Sequence, residues 1–416
     1  MPVEVLETRS PRRAMHLDGA EAPAVLVTDG EQRAALAVVR SLGRAGYRPF
    51  VCSTRRRSLA GASRFAASQA IVPDALSEPA AFAAELARLV RQWGIQVLLP
   101  ISEPSLLAVL DSAELYPGVE IPFADATTFR RICDKGALLA AAETVGIAVP
   151  AQNVVSSVEE IEMLAPGSLD FPVVIKPARS VGEGDTGRVK VAVGYAADAA
   201  ELREKLHAIP AAAYPVLLQQ RIVGPGIGIF LLRWDGETRA VFAHRRIREK
   251  PPSGGVSVYR ESIPADPELV QRSLDLLDGF DWRGVAMVEY KVDSRTGIPY
   301  LMEINGRFWG SLQLAVDSGV DFPALLLDAA LGRDPTPQPP YRAGIRSRWW
   351  WGDIDQLITM LRRSPAALAL PPDAPSRWRS ILEFLIFGRP GDRNEIFRWT
   401  DPAPIIRESA DWIARR

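Results

Sequence analysis

Apolar residues follow two alternating periods along the first third of this chain. "AVLVTDG", Ala24 to Gly30, is a continuous apolar run closed by turn residues, which predicts a buried strand. In the following "EQRAALAVVRSLGRAGY", Ala35, Val38, Val39 and Leu42 recur at helical spacing, so a helix is expected and the two form a β-α unit. A strand "PFVCST", an alanine-rich helix from about Pro79 to Trp93 and a strand "IQVLLPIS" continue the alternation. Strands that alternate with helices predict a parallel sheet covered by those helices.

Residues 23–130 therefore read as a Rossmann-like parallel-sheet domain behind a polar leader, residues 1–22. The first turn, "TDGEQRAAL", lacks the spaced glycines that bring a backbone close to pyrophosphate, so this domain is expected to be a substrate-side scaffold, not a dinucleotide site. The pattern changes after Cys133. Asp134 is placed to cap a helix that runs to Gly146 and stops before Pro150. "NVVSS", "FPVVIKPARS", "RVKVAV", a helix from Ala197 to His207 and "PVLLQQRIV" then predict a small α+β unit at about 150–218. "IGIFLLRW" and "ETRAVFAHRR" meet at Asp235-Gly236, a hairpin dipeptide. A helix from about Pro267 to Leu277 leads into "GVAMVEYKVD" and "PYLMEIN", completing a domain over 131–333. A C-terminal extension rich in proline, tryptophan and arginine, 334–416, is expected to pack against it.

Composition narrows the function. With 416 residues, 47% of them hydrophobic, the chain is long enough to bury cores for two or three domains. Its 49 basic and 50 acidic side chains give no broad electrostatic attraction to nucleic acid or anionic membrane, so neither partner is expected. Cys52 and Cys133 lack any paired-ligand spacing, which argues against a disulfide framework or structural zinc and fits a reducing cytoplasm. No run is long and apolar enough for a signal peptide core or a membrane span.

Candidate chemistry concentrates in "YLMEINGRFWGS", where Glu303, Asn305 and Arg307 occupy every second position behind an apolar strand. Alternation puts Val285, Met287, Glu289 and Lys291 on one face of the first strand of a hairpin. The same rule puts Leu301, Glu303 and Asn305 on one face of the second. With "DSRTGI" as the connection, a register pairing Val292 with Tyr300 sets Glu289 opposite Glu303. Two bare carboxylates about 5 Å apart repel by roughly 3 kcal/mol at an effective dielectric near 20, so the pair implies a cation or a shared proton. Two carboxylates and an amide oxygen suit magnesium, which shares its other positions with water and phosphates. The competing reading is a solvent-facing strand end with an incidental salt bridge to Arg307. Arg307 offers a planar charged fork suited to a phosphoryl group or developing oxyanion. Upstream, His244, Arg245 and Arg246 close a strand, and the loop Pro251 to Gly255 offers Ser253 and the amides of Gly254 and Gly255 for a carboxylate. An exposed basic turn is the plain alternative there.

"MVEY" followed by "MEINGRFWGS", with "DK" at Asp134 and "VVIKP" ending at Pro177, resembles the ATP-grasp superfamily of carboxylate-amine ligases. The resemblance spans roughly Ala24 to Leu331, and "HRRIREKPPSGGVSVYRES" is similar to the carbamoyl-phosphate-synthase-like members. It implies an ATP-grasp domain in which the unit at about 150–218 is a lid, with ATP and Mg2+ as cofactors. It assigns Glu289, Glu303 and Asn305 to magnesium, and Lys135 and Lys176 to the phosphates. It gives adenine the backbone of Gln220, Arg221 and Ile222, and makes "RSVGEGDTG", from Arg179 to Gly187, a glycine flap. No acid stands in "VGPGIGIF" where many members bind ribose. Arg307 and Arg246 are the catalytic candidates, and Arg245, Arg246, Ser253, Gly254 and Gly255 the substrate-binding ones. The implied reaction joins a small carboxylate to an amine through an acyl phosphate, releasing ADP and phosphate. The alternatives are carboxyphosphate chemistry, as in a carboxylase or carbamoyl-phosphate-like synthetase, and a nucleotide-binding subunit without turnover. Ser102 and Glu103, after "LLPI", stand where a substrate would be selected, and the resemblance admits a homodimer.

Overall fold

The computed structural model describes residues 22–415 apart from 158, 161–168, 179–181, 185–186, 190–192, 334–339, 366, 371–373 and 387–390. The expected leader up to residue 21 and much of the expected glycine flap lie outside the described residues. The N-terminal apolar runs form β1 (Ala24–Val27), α1 (Arg33–Arg44), β2 (Arg48–Ser53), β3 (Ser68–Ile71), α2 (Pro79–Trp93), β4 (Val97–Leu99) and α3 (Glu103–Leu110). All strand pairs are parallel, in the order β3-β2-β1-β4. Alternate residues of β1 feed two cores: Val25 and Val27 pack with α1 and the body of the protein, Ala24 and Leu26 with α2. The strand order reverses beside β1, and the crevice between its end and that of β4 is where an open parallel sheet presents ligands.

Two helices, α4 (Ala126–Cys133) and α5 (Lys135–Thr144), lead into the lid. Asp134 caps α5 as its position predicts, accepting the Ala137 amide at 3.1 Å. The lid comprises β5 (Gln152–Val155), β6 (Val173–Pro177), β7 (Gly182–Gly184), β8 (Gly187–Val189), β9 (Gly194–Ala196), α6 (Ala199–His207) and β10 (Val216–Gln220). Its four-stranded sheet, β5-β10-β6-β9, is antiparallel and has its own small core around Val173, Ile175, Leu202 and Leu218.

The central sheet is built from β11 (Gly226–Trp234), β12 (Glu237–Lys250), β13 (Val256–Ser262), then α7 (Pro267–Asp278), β14 (Gly284–Val292) and β15 (Pro299–Asn305). At the β11–β12 turn, Asp235 and Gly236 both adopt positive φ, 52° and 76°, the two-residue geometry their sequence favours. Helices α8 (Leu312–Ser318) and α9 (Phe322–Ala330) pack back toward α1 and share its core. Beyond them lie β16 (Arg346–Arg348), α10 (Trp350–Arg362), α11 (Arg377–Leu385), β17 (Asp392–Asn394) and α12 (Ala403–Ala414). The C-terminal segment is more than a covering layer. Its β16 and β17 extend the central sheet to seven strands, β15-β14-β11-β12-β13-β16-β17.

Candidate functional site

The hairpin β14–β15 sets Glu289 opposite Glu303 and Met287 opposite Asn305. The register near the turn differs from the sequence expectation: Val292 pairs with Pro299, not Tyr300. A bulge takes up one residue at Met302, between the Tyr290–Leu301 and Glu289–Glu303 pairs. Leu301 is therefore not on the face of Glu303. It pairs with Tyr290 in the core, both fully buried, while the two carboxylates face the other way. Uniform alternation cannot foresee this, because an extra residue reverses the facing of everything beyond it.

Two glycines one residue apart on β11 clear a lane beside this pair. Gly228 lies between Glu289 and His244 in the cross-strand row, and a Cβ there would meet Phe230 Cζ at 2.6 Å and His244 Cδ2 at 3.2 Å. A Cβ on Gly226 would meet Arg246 Cδ at 2.8 Å. Arg246 thus crosses the strand over bare backbone and pairs with Glu289, while its other Nη holds Glu249 at 2.7 Å. His244 is buried against Phe230, and burial, aided by Arg246 and Arg260, drives its imidazole well below the ordinary range and keeps it neutral.

Charge is distributed unequally over the two carboxylates. Burial pushes Glu289 up to about 7, with Glu303 and Glu249 adding repulsion that Arg246 only partly offsets. Burial also opposes ionisation of Glu303, but Lys135 and Lys176, helped by the Asn305 amide at 3.0 Å, hold it below the usual carboxylate range. Lys176, on β6, lies over the hairpin with Nζ 4.0 Å from Met302 Sδ. Burial lowers its ammonium to about 8, and the neighbouring Lys135 contributes. Lys135 opens α5 directly beneath the lid, its amide on the Ala178 carbonyl at 3.0 Å. Arg307 donates to Asn305 Oδ1 at 3.1 Å and to the Phe308 carbonyl at 2.9 Å. A small cleft opens beside Glu303, lined among others by Glu103, Cys133, Lys135, Asn305 and Arg307.

Among the described residues no three His, Cys, Asp or Glu groups are placed to hold a metal ion together. A divalent cation at the hairpin would take two carboxylates and the Asn305 amide oxygen from the chain and complete its shell with phosphate and water oxygens, the hard donor set magnesium uses. The four cations Lys135, Lys176, Arg246 and Arg307 outnumber the three carboxylates Glu249, Glu289 and Glu303, which leaves excess positive charge suited to a polyphosphate.

Other sequence candidates are placed differently. Arg245, next to Arg246 on a strand, faces the opposite way, half exposed and paired with Glu261 at 2.8 Å. Ser253 presents its carbonyl to Tyr195 Oη at 2.8 Å, which ties the loop before β13 to the lid. Gly254 adopts φ +133°, and a Cβ on Gly255 would strike the Lys250 carbonyl at 2.4 Å, so both glycines shape this turn. The Gln220 amide is taken by the Ala151 carbonyl at 2.8 Å. Arg221 stacks on Tyr195 and reaches the Ala369 carbonyl, whereas the amide of Ile222 makes no backbone hydrogen bond among the described residues. Ser102 caps α3 and donates to Asp29 at 2.8 Å, which holds Glu103 at the cleft. Sequence reasoning passed over Glu249, Gly226 and Gly228. The two strand glycines, spaced by one, were the available signal of a close side-chain approach.

Residues 213–351 match the family described as ATP-grasp in the biosynthetic pathway with Ter operon. An L-amino acid ligase from Bacillus licheniformis is similar in structure, with TM-score 0.57 and 17% identity over 75% of each chain. The chain carries an ATP-grasp fold. The biotin carboxylase domain of a Hydrogenobacter thermophilus 2-oxoglutarate carboxylase, described with MgADP and bicarbonate, has TM-score 0.59 at 15% identity over 79% of this chain and 74% of that one. An N5-carboxyaminoimidazole synthetase from Staphylococcus aureus has TM-score 0.58 at 15% identity over 77% and 81%. A sequence search of curated proteins gave no match. No helix among the described residues is long and apolar enough to cross a membrane.

Proposed function

We propose that this protein is an ATP-dependent, cytoplasmic carboxylate-amine ligase that forms an amide or peptide bond through an acyl phosphate and releases ADP and phosphate. One observation carries the reading: Lys135 and Lys176 lie close to Glu303, Arg246 pairs with Glu289 directly opposite it, and Arg307 holds Asn305 two residues along the same strand. Glu289, Glu303 and Asn305 would hold magnesium, which would supply neutralisation of phosphate charge. Lys135 and Lys176 bind the nucleotide phosphates, and the backbone at Gln220, Arg221 and Ile222 receives the adenine edge. Lys176 closes with the lid and excludes water. Arg307 and Arg246 steady the terminal phosphoryl group as it passes to the substrate carboxylate, so the chain contributes positioning and charge neutralisation. The amine then attacks the acyl phosphate, its nitrogen forming the new C–N bond as phosphate leaves with the bonding pair and the amine proton passes to solvent. Glu103 faces the cleft from the N-terminal sheet and takes part in selecting the small-molecule substrates.

The likeness to a carboxylase domain described with bicarbonate favours carboxyphosphate chemistry as the second reading. ADP release screened against small carboxylic acids, with hydroxylamine as nucleophile, separates the possibilities. A hydroxamate accompanied by ADP supports the ligase. Bicarbonate-dependent ADP release without hydroxamate supports the second reading, and binding without turnover supports a nucleotide-binding subunit.

A further inference from the structure

Arg246 on β12 lies directly opposite Arg260 on β13, so both side chains leave the same face of the sheet. Like charges so placed repel, and each is held by its own carboxylates. Arg246 has Glu289 and Glu249; Arg260, fully buried, has Glu395 and the Ser257 carbonyl at 2.8 Å. Glu395 follows β17 in the C-terminal segment, its amide fixed on the Arg348 carbonyl at 2.9 Å. The same carboxylate oxygen takes Arg33 Nη1 at 2.6 Å from the first residue of α1. One buried carboxylate therefore joins the N-terminal domain, the central sheet and the C-terminal segment, one strand behind Arg246. Anchoring the segment does not need it there. Arg40 and Asp401, 2.8 Å apart, and Arg398 and Asp317, 2.7 Å apart, already tie the segment to α1 and α8.

We propose that Glu395 is a positioning residue of the catalytic site: by neutralising Arg260 it leaves Glu289 and Glu249 to Arg246 and so fixes the Arg246 guanidinium beside the metal-binding carboxylates. The inference rests on reading Arg246 and Glu289 as part of the ATP site. Without the charge of Glu395, Arg260 is a buried cation with no carboxylate of its own, directly opposite Arg246 and next to the carboxylates that hold it. Competition for Glu249 and Glu289 then displaces Arg246.

Three variants test this. Glu395→Gln keeps the shape and removes the charge; Glu395→Gln with Arg260→Gln also removes the competing cation; Arg398→Gln cuts a different tether of the same segment. In a crystal structure of Glu395→Gln the Arg246–Glu289 pair is expected to be broken, and in the double variant restored. In ADP release the single variant is expected to lose on the order of tenfold or more in kcat with little change in KM for Mg·ATP, and the double variant to regain most of it. Arg398→Gln is expected to lower thermal stability without changing kcat. Should Glu395→Gln not fold, the double variant carries the test, since it leaves no buried Arg260 cation without a carboxylate while Arg33 keeps its stacking on Trp349. An intact Arg246–Glu289 pair in Glu395→Gln, a double variant as impaired as the single one, or an equal kcat loss in Arg398→Gln would overturn the proposal. A wild-type protein that neither binds nor hydrolyses ATP fails the functional reading instead, and the crystallographic comparison still decides the positioning role.

Discussion

Replacing Gly226 by alanine probes the site through a single methyl group. Gly226 has no positive φ, so its backbone accepts any residue, and the only conflict within reach of the new Cβ is with Arg246: Cδ at 2.8 Å, Cγ at 3.4 Å and Nε at 3.5 Å. Ordinary contact begins at 3.4 Å, so the Arg246 stem must move by about 0.6 Å or more, and its guanidinium, further out, by a similar or larger amount. A displacement near 1 Å in a positioning group costs about a hundredfold in rate, roughly 2.7 kcal/mol of barrier. Stability is expected to change little, because alanine in a strand gains about 0.5–1 kcal/mol over glycine and offsets part of the weakened ion pair. The assay is steady-state ADP release beside a thermal melt of the same preparation. A fall of tenfold to a hundredfold in kcat with a nearly unchanged melting temperature is expected. Wild-type kcat in Gly226→Ala would refute the claim that Arg246 must reach across this strand.

Glu303→Gln keeps the acceptor used by the Asn305 amide but removes half of the hairpin's acidic charge, so turnover is expected to vanish while circular dichroism stays native; ADP production by the folded variant would exclude the metal assignment. Because burial holds Glu289 near 7, the metal-free protein keeps its proton below that pH, and magnesium must displace it. Apparent Mg2+ affinity is therefore expected to weaken about tenfold per pH unit below about 7, with proton release on binding measured by calorimetry in two buffers; a flat profile down to about pH 5 contradicts it. The sign for stability is opposite: a carboxyl raised on folding destabilises the metal-free protein as pH rises from the unfolded carboxylate range through about 7. Arg307→Ala is expected to reduce trapped hydroxamate by on the order of a hundredfold with Mg·ATP binding retained, and equal loss of both would move Arg307 from the reacting group to the nucleotide.

Short-range patterns carried much of this architecture. The helical spacing of Ala35, Val38, Val39 and Leu42 falls within α1, although that helix is buried all round from Ala34 to Leu42, and the Asp235-Gly236 turn is where its dipeptide predicts. The opposition of Glu289 and Glu303 agrees with the expected register only because the Met302 bulge offsets the one-residue shift at the turn, where Val292 pairs with Pro299 and not Tyr300. The Met302 bulge leaves no mark that alternation can register. Arg245 and Arg246, adjacent on one strand, had to face opposite ways, a consequence available from period two alone. The Arg33–Glu395–Arg260 cluster was hidden for another reason: its members come from three distant segments brought together only when β16 and β17 add to the sheet. A partial signal existed in "VSVYRES", where Arg260 shares the buried face of Val258, a place where an arginine needs a partner from elsewhere.

The central claim is that phosphoryl transfer occurs between the lysines and the carboxylate hairpin. Its most direct measurement is the identity of the nucleotide product when the protein turns over Mg·ATP with an accepted carboxylic acid and hydroxylamine, resolved by ion-exchange chromatography and phosphorus NMR. On the proposed reading Lys176, Glu289, Glu303 and Arg307 act on the terminal phosphoryl group, so the account predicts ADP, inorganic phosphate and hydroxamate in equal amounts, all abolished in Glu303→Gln. AMP with pyrophosphate as the stoichiometric products would contradict it.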